Sequence, residues 1–451
     1  MKAVRAGTSG LRRWAERPWI RVDSGRTVER TGAEKMMELY RNESLAGRVS
    51  DADLAYLAMD RGPVHEQFAV VLLLGPGFDV ERGARVLGER VRQIPRLRQR
   101  IVRTRRGPAW ADDCSFDPAR HIYTRRCRRP CNERSVLEVV VPEVTWWLRR
   151  DRPLWRAIFV TGLAEGRTAL VLIVHHALAD GLGGLAVLNA LMDGGGSPSG
   201  PGAGPPERRR RRGPIAASTD LFHGRAARNS LLRPTGSRRR ALAVRTGLEP
   251  VRAAAHQAGA TVNAAVLVAV AGALRRLLAY RRESLDAVRV GVPVGDSHHS
   301  APGAGNAVSL MVVTVPADGP YRPRMARVAA DTRARRGRAA APAPITVLGR
   351  VFRLAAATGS YQWYMNHQRR LHIVISCLRG PAGPVCLAGV PVERMIPIAP
   401  ATTSNLTMAC QALSYAGELT VTTVADPGRC PELDLFGRYL HAELEAVATR
   451  R

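Results

Sequence analysis

Lysine is almost missing from this chain. The 451 residues carry 68 basic side chains, of which only Lys2 and Lys35 are lysines, leaving 66 arginines and a formal net charge of +30. A nucleic-acid module of such charge sets clustered basic groups beside aromatic stacking platforms. Here aromatics are only 5% of the sequence and the arginines are scattered, an excess that GC-rich coding produces, so nucleic acid is not the expected partner. Anionic lipid surfaces suit the charge better. Long hydrophobic runs are also missing. Nothing approaches the roughly 20 apolar residues of a spanning helix; the stretch Ala264 to Leu274 reads as a core helix. No uninterrupted apolar segment follows the basic N-terminal residues, so no secretory leader is expected and a cytoplasmic location is. Cysteine is present seven times (Cys114, Cys127, Cys131, Cys377, Cys386, Cys410, Cys430), but without C-x-x-C spacing or nearby histidines. That pattern argues against a metal site and for small buried hydrophobes in a reducing compartment.

With 45% hydrophobic residues, the chain has material for two cores and length for two domains of about 200 residues each. Residues 1–45 read as a loose N-terminal extension, 46–193 as a first domain, 194–240 as a Gly/Pro/Arg-rich linker and 241–451 as a second domain. In the first, Ser50 is placed to cap a short helix. Phe68 to Leu74 is a buried strand, closed by Gly75-Pro76-Gly77. Val80, Ala84, Leu87, Val91 and Ile94 recur at helical spacing. Ala157 to Gly162 and Thr168 to Val174 form a hairpin across Ala164-Glu165-Gly166-Arg167. In the second, helices are expected over Gly247 to Gly259, from Thr261 to Tyr280, and over Pro431 to Thr449. Strands are expected at Val288 to Val294, Val308 to Val315, His372 to Ser376, Asn405 to Leu413 and Glu418 to Ala425. This mixture predicts α/β (α+β) layering in both halves. No exact internal repeat is visible.

The chemistry concentrates in Val171-Leu-Ile-Val-His175-His176-Ala-Leu-Ala-Asp180-Gly181. A histidine at the end of a buried strand is held in one orientation, and neutral imidazole can take a proton from a hydroxyl as its oxygen attacks a carbonyl. Asp180 can pair with an arginine and lock the loop, while Gly181 lets backbone pass close to a long substrate arm. His175 reads as structural. The pair His298-His299 lacks a following Asp-Gly and reads as loop.

The segment His175-His176-Ala-Leu-Ala-Asp180-Gly181 resembles the HHxxxDG signature of the acyltransferase superfamily that contains chloramphenicol acetyltransferase and peptide-synthetase condensation domains. From about Val49 to Phe436 the chain is similar to the bacterial wax ester synthase/diacylglycerol acyltransferase family. The similarity also rests on Ser50 to Leu57, Ile94 to Arg100, Pro153-Leu154-Trp155, Asn263, Gly305-Asn306 and Leu413 to Gly417. It departs at Asn263-Ala264, where the family has Asn-Asp. It departs again at Cys377-Leu378-Arg379-Gly380-Pro381, for Asn-Val-Pro-Gly-Pro, and at Pro293 to Ser297, for Pro-Val-Ser-x-Arg.

The resemblance implies two chloramphenicol-acetyltransferase-like domains forming a pseudodimer around a central tunnel. It implies acyl-CoA as co-substrate, no other cofactor, and diacylglycerol or a long-chain alcohol as acceptor, giving triacylglycerol or wax ester without an acyl-enzyme. His176 would be the general base, Asn263 the oxyanion donor and Arg98 the partner of Asp180, with Arg96 the other candidate. Pro153, Leu154 and Trp155 would line the substrate tunnel as wall and packing residues. A peripheral position on membranes or lipid bodies accompanies such substrates. The alternatives are a secondary-metabolite hydroxyl or amine as acceptor, and a noncatalytic lipid-binding paralogue.

Overall fold

The computed structural model describes residues 45–105, 107–128, 132–195, 224–295, 308–336, 349–400 and 403–449. The extension 1–44, the arginine run 208–212, Cys131, Asp296, Ser297, His298-His299 and Gly305-Asn306 lie outside the described residues.

The first half runs β1 (Leu45–Arg48), α1 (Asp51–Met59), β2 (Gln67–Leu74), α2 (Val80–Gln93), β3 (Gln99–Thr104), β4 (Gly107–Asp112), β5 (Ile122–Arg126), α3 (Glu133–Thr145), β6 (Trp155–Thr161), β7 (Thr168–His175) and α4 (Gly181–Leu191). The second runs β8 (Arg240–Gly247), α5 (Leu248–Gln257), α6 (Val262–Tyr280), β9 (Ala287–Gly295), β10 (Val308–Pro316), α7 (Tyr321–Arg336), α8 (Gly349–Ala357), α9 (Ser360–His367), β11 (Ile373–Arg379), β12 (Cys386–Leu387), β13 (Val390–Ile398), β14 (Met408–Tyr415), β15 (Glu418–Ala425) and α10 (Leu433–Thr449). Local chemistry accounts for the starts. Ser50 and Asp79 accept the Asp53 and Arg82 N–H groups as N-caps of α1 and α2. On α2, Leu87 and Val91 are buried. β7 is buried along its whole length, as its unbroken apolar run requires.

A repeat absent from the sequence is present in the topology. In one sheet the order β2-β7-β6-β5 has antiparallel, antiparallel and parallel neighbours. In the other, β8-β15-β14-β11 has the same three relations in the same succession. Each half therefore sets a hairpin, β6–β7 or β14–β15, between an antiparallel strand and a parallel one; β5 ends its sheet, whereas β11 pairs onward with β9. The helix after each hairpin, α4 or α10, completes the correspondence.

Two expected boundaries need correction. The first sheet does not end with residue 193: β13 pairs antiparallel with β2, placing Ile396 opposite Val71 and Pro397 opposite Val70. Six strands result, in the order β12-β13-β2-β7-β6-β5. Without β13, β2 would be a bare apolar edge. The segment 194–240 is not a free linker over its last part. There Ala226 donates to Arg369 O at 2.8 Å, Thr235 to Ser404 O at 3.0 Å and Gly236 to Asp426 Oδ2 at 2.6 Å, with Ala226 and Leu231 buried.

α6 is the axis of the second core. It has the length and apolarity of a spanning helix, yet 72% of that stretch is buried inside the protein. It lies so close to α10 that a Cβ on Gly272 would fall 2.0 Å from Glu443 Oε2.

Candidate active site

β7 delivers His175 and His176 to the edge of the first core, and a tight turn separates them from α4. His175 is 2% exposed. Its Nδ1 accepts the Ala177 N–H at 2.9 Å, so its proton sits on Nε2, which lies 3.3 Å from Asp60 Oδ2. The sequence reading of His175 as structural thus acquires a geometry: the ring fastens the turn on both sides of His176.

Asp60 was not foreseen, and it gathers the most partners in this region. It receives the His65 ring at 2.9 Å, the Glu66 N–H at 3.0 Å and Arg150 at 3.0 Å, besides His175. Burial alone would raise its carboxyl. Hydrogen bonding from the His175 and His65 rings outweighs that and holds it well below the usual carboxylate range. A signal did exist in the sequence: Asp60, His65 and Glu66 surround a Gly-Pro turn directly before an apolar strand.

His176 is half-buried. Tyr56 from α1 stacks on its ring, with centroids 4.6 Å apart and planes 10° apart, and the Phe68 ring is tilted against it at 5.0 Å. Its backbone N–H donates to Glu66 O at 2.8 Å. The imidazole is therefore fixed by two rings and a strand-like backbone contact, the orientation a general base needs. Phe68 has room because position 184 is glycine; a Cβ there would be 2.7 Å from Phe68 Cε2.

Asp180 is 4% exposed and caps α4, its Oδ1 accepting the Gly183 N–H at 2.8 Å. It locks the turn through the helix terminus. Arg98, expected as its partner, instead lies 3.5 Å from Asp112 and donates to Arg92 O at 3.0 Å. A short helical turn, Pro95–Arg98, sets that direction. Arg96 lies over the Trp110 ring at 4.1 Å. Gly181, expected to clear a substrate arm, instead makes room for protein: a Cβ would stand 3.3 Å from Leu378 Cδ2 on β11 of the second half. The altered stretch Cys377 to Pro381 thus adjoins the histidine turn.

The remaining expected residues are placed differently from one another. Pro153 is buried, and Leu154 and Trp155 are 2% and 1% exposed in the first core. Trp155 donates to Leu97 O at 2.6 Å, and Leu154 O accepts the His175 N–H at 3.0 Å. They support the histidine strand from behind, which corrects the wall role. Asn263 stands in the first turn of α6; among the described residues no hydrogen bond joins it to the histidine turn, and its Oδ1 is buried without a partner. Among the described residues no group of three or more metal-ligating side chains occurs.

Most of the chain is similar to known proteins. Residues 50–221 match the wax ester synthase/diacylglycerol acyltransferase catalytic domain, and residues 304–448 match the C-terminal domain of the same family. A relative from Mycobacterium tuberculosis (strain ATCC 25618 / H37Rv), named "Probable diacylglycerol O-acyltransferase tgs1", is 27% identical over 444 residues, covering 85% of this chain and 92% of its own. The wax ester synthase/diacylglycerol acyltransferase from Marinobacter aquaeolei VT8 superposes with a TM-score of 0.66 at 20% identity, over 89% of this chain and 98% of that one. The first condensation domain of the calcium-dependent antibiotic synthetase has a TM-score of 0.62 at 18% identity, over 90% and 97%. Both share the chloramphenicol-acetyltransferase-like two-domain fold.

Proposed function

The chain belongs to the wax ester synthase/diacylglycerol acyltransferase family, and from that membership we propose a reaction for its histidine turn. It is an O-acyltransferase that moves a fatty acyl group from acyl-CoA to diacylglycerol or a long-chain alcohol. The observation that carries the site assignment is the clamping of His176 between Tyr56 and Phe68, where the first half meets β11 of the second.

His176 takes the proton of the acceptor hydroxyl while that oxygen bonds to the thioester carbonyl carbon. Collapse of the tetrahedral adduct breaks the carbon–sulfur bond, and the imidazolium returns the proton to the CoA sulfur. The ester forms in one displacement, with no acyl-enzyme. His175, Asp60 and Asp180 position the base and touch neither substrate. Asn263 is the proposed oxyanion donor, through its amide N–H. Orientation of two bound substrates beside one base supplies several kcal/mol of the barrier reduction. The enzyme works against a lipid surface. Support comes from its charge and from exposed Trp146, Trp147, Trp363 and Tyr364, ring types that settle at membrane interfaces.

The test is CoA release from an acyl-CoA with diacylglycerol or hexadecanol. His176→Ala is expected to lose at least about a hundredfold in kcat, as removal of a general base does. Full activity in that variant refutes the assignment.

A further inference from the structure

Glu66 is a buried ionisable group that this mechanism leaves unused. It is 8% exposed and directly precedes β2. Gln67 pairs with His175 across the sheet, and Glu66 O accepts the His176 N–H, so Glu66 stands opposite His176. Opposed residues project from the same sheet face. Phe68, two positions on, projects there too and reaches the His176 ring. Tyr56, stacked on His176, lies within range of the Glu66 carboxyl, and so does the half-buried Tyr361 of α9. Among the described residues, no cation and no hydrogen-bond donor reaches the Glu66 carboxyl.

Burial, reinforced by the nearby Asp60 carboxylate, pushes this carboxyl up to about 8. At neutral pH it is mainly the undissociated acid, with one O–H to donate and lone pairs to accept. Around it are three aromatic rings and the base. An acceptor whose hydroxyl sits on a plain hydrocarbon chain leaves both capacities idle. One with a second oxygen beside the reacting hydroxyl fills them.

The geometry assigns Glu66 to acceptor recognition: it selects an acceptor carrying an oxygen function next to the reacting hydroxyl, as a glyceride does, over an unbranched long-chain alcohol. The assignment rests on His176 being the base of O-acyl transfer. Sites that hydrogen-bond a substrate oxygen discriminate against analogues lacking it far better than apolar pockets discriminate by shape.

The experiment compares 1,2-dioleoylglycerol with hexadecanol, using one acyl-CoA and CoA release as readout, in the wild type, Glu66→Gln, Glu66→Met and Glu66→Leu. The ratio of kcat/KM for the glyceride over the alcohol is expected to fall roughly tenfold in Glu66→Met, the loss of one hydrogen bond. Glu66→Gln, which keeps a donor and an acceptor, should retain most of the ratio. Turnover of hexadecanol close to wild type shows that the variants are folded and the base intact, and Glu66→Leu replaces Glu66→Met should the latter not accumulate. A ratio within twofold of wild type in the apolar variants, with turnover preserved, overturns the Glu66 assignment alone. Absence of CoA release from the wild type with both acceptors overturns the transfer reading beneath it.

Discussion

Replacing Glu66 by glutamine should stabilise this protein, and the gain should grow with pH. In the folded state the carboxyl is raised to about 8, whereas in an unfolded chain it titrates near the ordinary value of 4.5. Between those values the native protein holds a proton that the unfolded chain has released, so wild-type stability falls as pH rises and levels off above about 8. At 1.36 kcal/mol per pH unit, the full span costs about 5 kcal/mol. The part between pH 5 and pH 8.5 is about 4 kcal/mol. Glutamine keeps the size and never ionises, so the difference in stability between Glu66→Gln and wild type should widen by about that amount over the same interval. The neighbouring groups do not obscure the comparison. Tyr56 and Tyr361 are raised by burial and stay neutral across this range, and Asp60 stays ionised. Urea unfolding followed by tryptophan fluorescence at pH 5 and pH 8.5 gives the four values required. A difference that is flat with pH, or that narrows towards pH 8.5, refutes the burial argument for Glu66.

Other expectations follow from the same region. Asp60→Asn should lower stability by about 3 kcal/mol, the low end for breaking a buried charge cluster, since Arg150 and His65 keep some solvent contact. Its kcat should drop about tenfold with KM for acyl-CoA nearly unchanged, because the turn is loosened while the base remains; steady-state kinetics with a melting curve checks both. Asp60 is held low in the folded state, so its contribution is fully present above about pH 4 and is lost only as pH falls below that. Gly184→Ala should push Phe68 towards His176, costing about 1–3 kcal/mol and reducing CoA release, readable from the same two measurements. Sedimentation with anionic vesicles should be strong at low salt and weak at high salt; failure to sediment at low salt refutes the surface role.

Much of the first half was legible because its signals are local. Ser50 caps a helix, Phe68 to Leu74 is an unbroken apolar strand, and the histidines end another. Asp180 and Gly181 were also placed in a loop lock and a close approach, although the lock is a helix cap and the approach is to Leu378. What escaped was non-local. β13 carries Pro391 and Pro397, which mask its strand character, and only pairing with β2 reveals it. Asp60 gains its meaning from His175, 115 positions away in sequence, as Arg98 loses its expected one to Asp112. The duplication of β2-β7-β6-β5 in β8-β15-β14-β11 survives in hydrogen-bond direction while the side chains have diverged beyond recognition.

The transfer of β13 into the first sheet bears on synthesis. The histidine-bearing strand β7 emerges early from a translating ribosome, but β2, its neighbour, stays without its outer partner until residues 390–398 have been made. For some two hundred residues of elongation an apolar edge is exposed to other nascent chains. Expression of the first half alone should therefore give aggregates, and adding a separate segment bearing β12 and β13 is the natural way to rescue it.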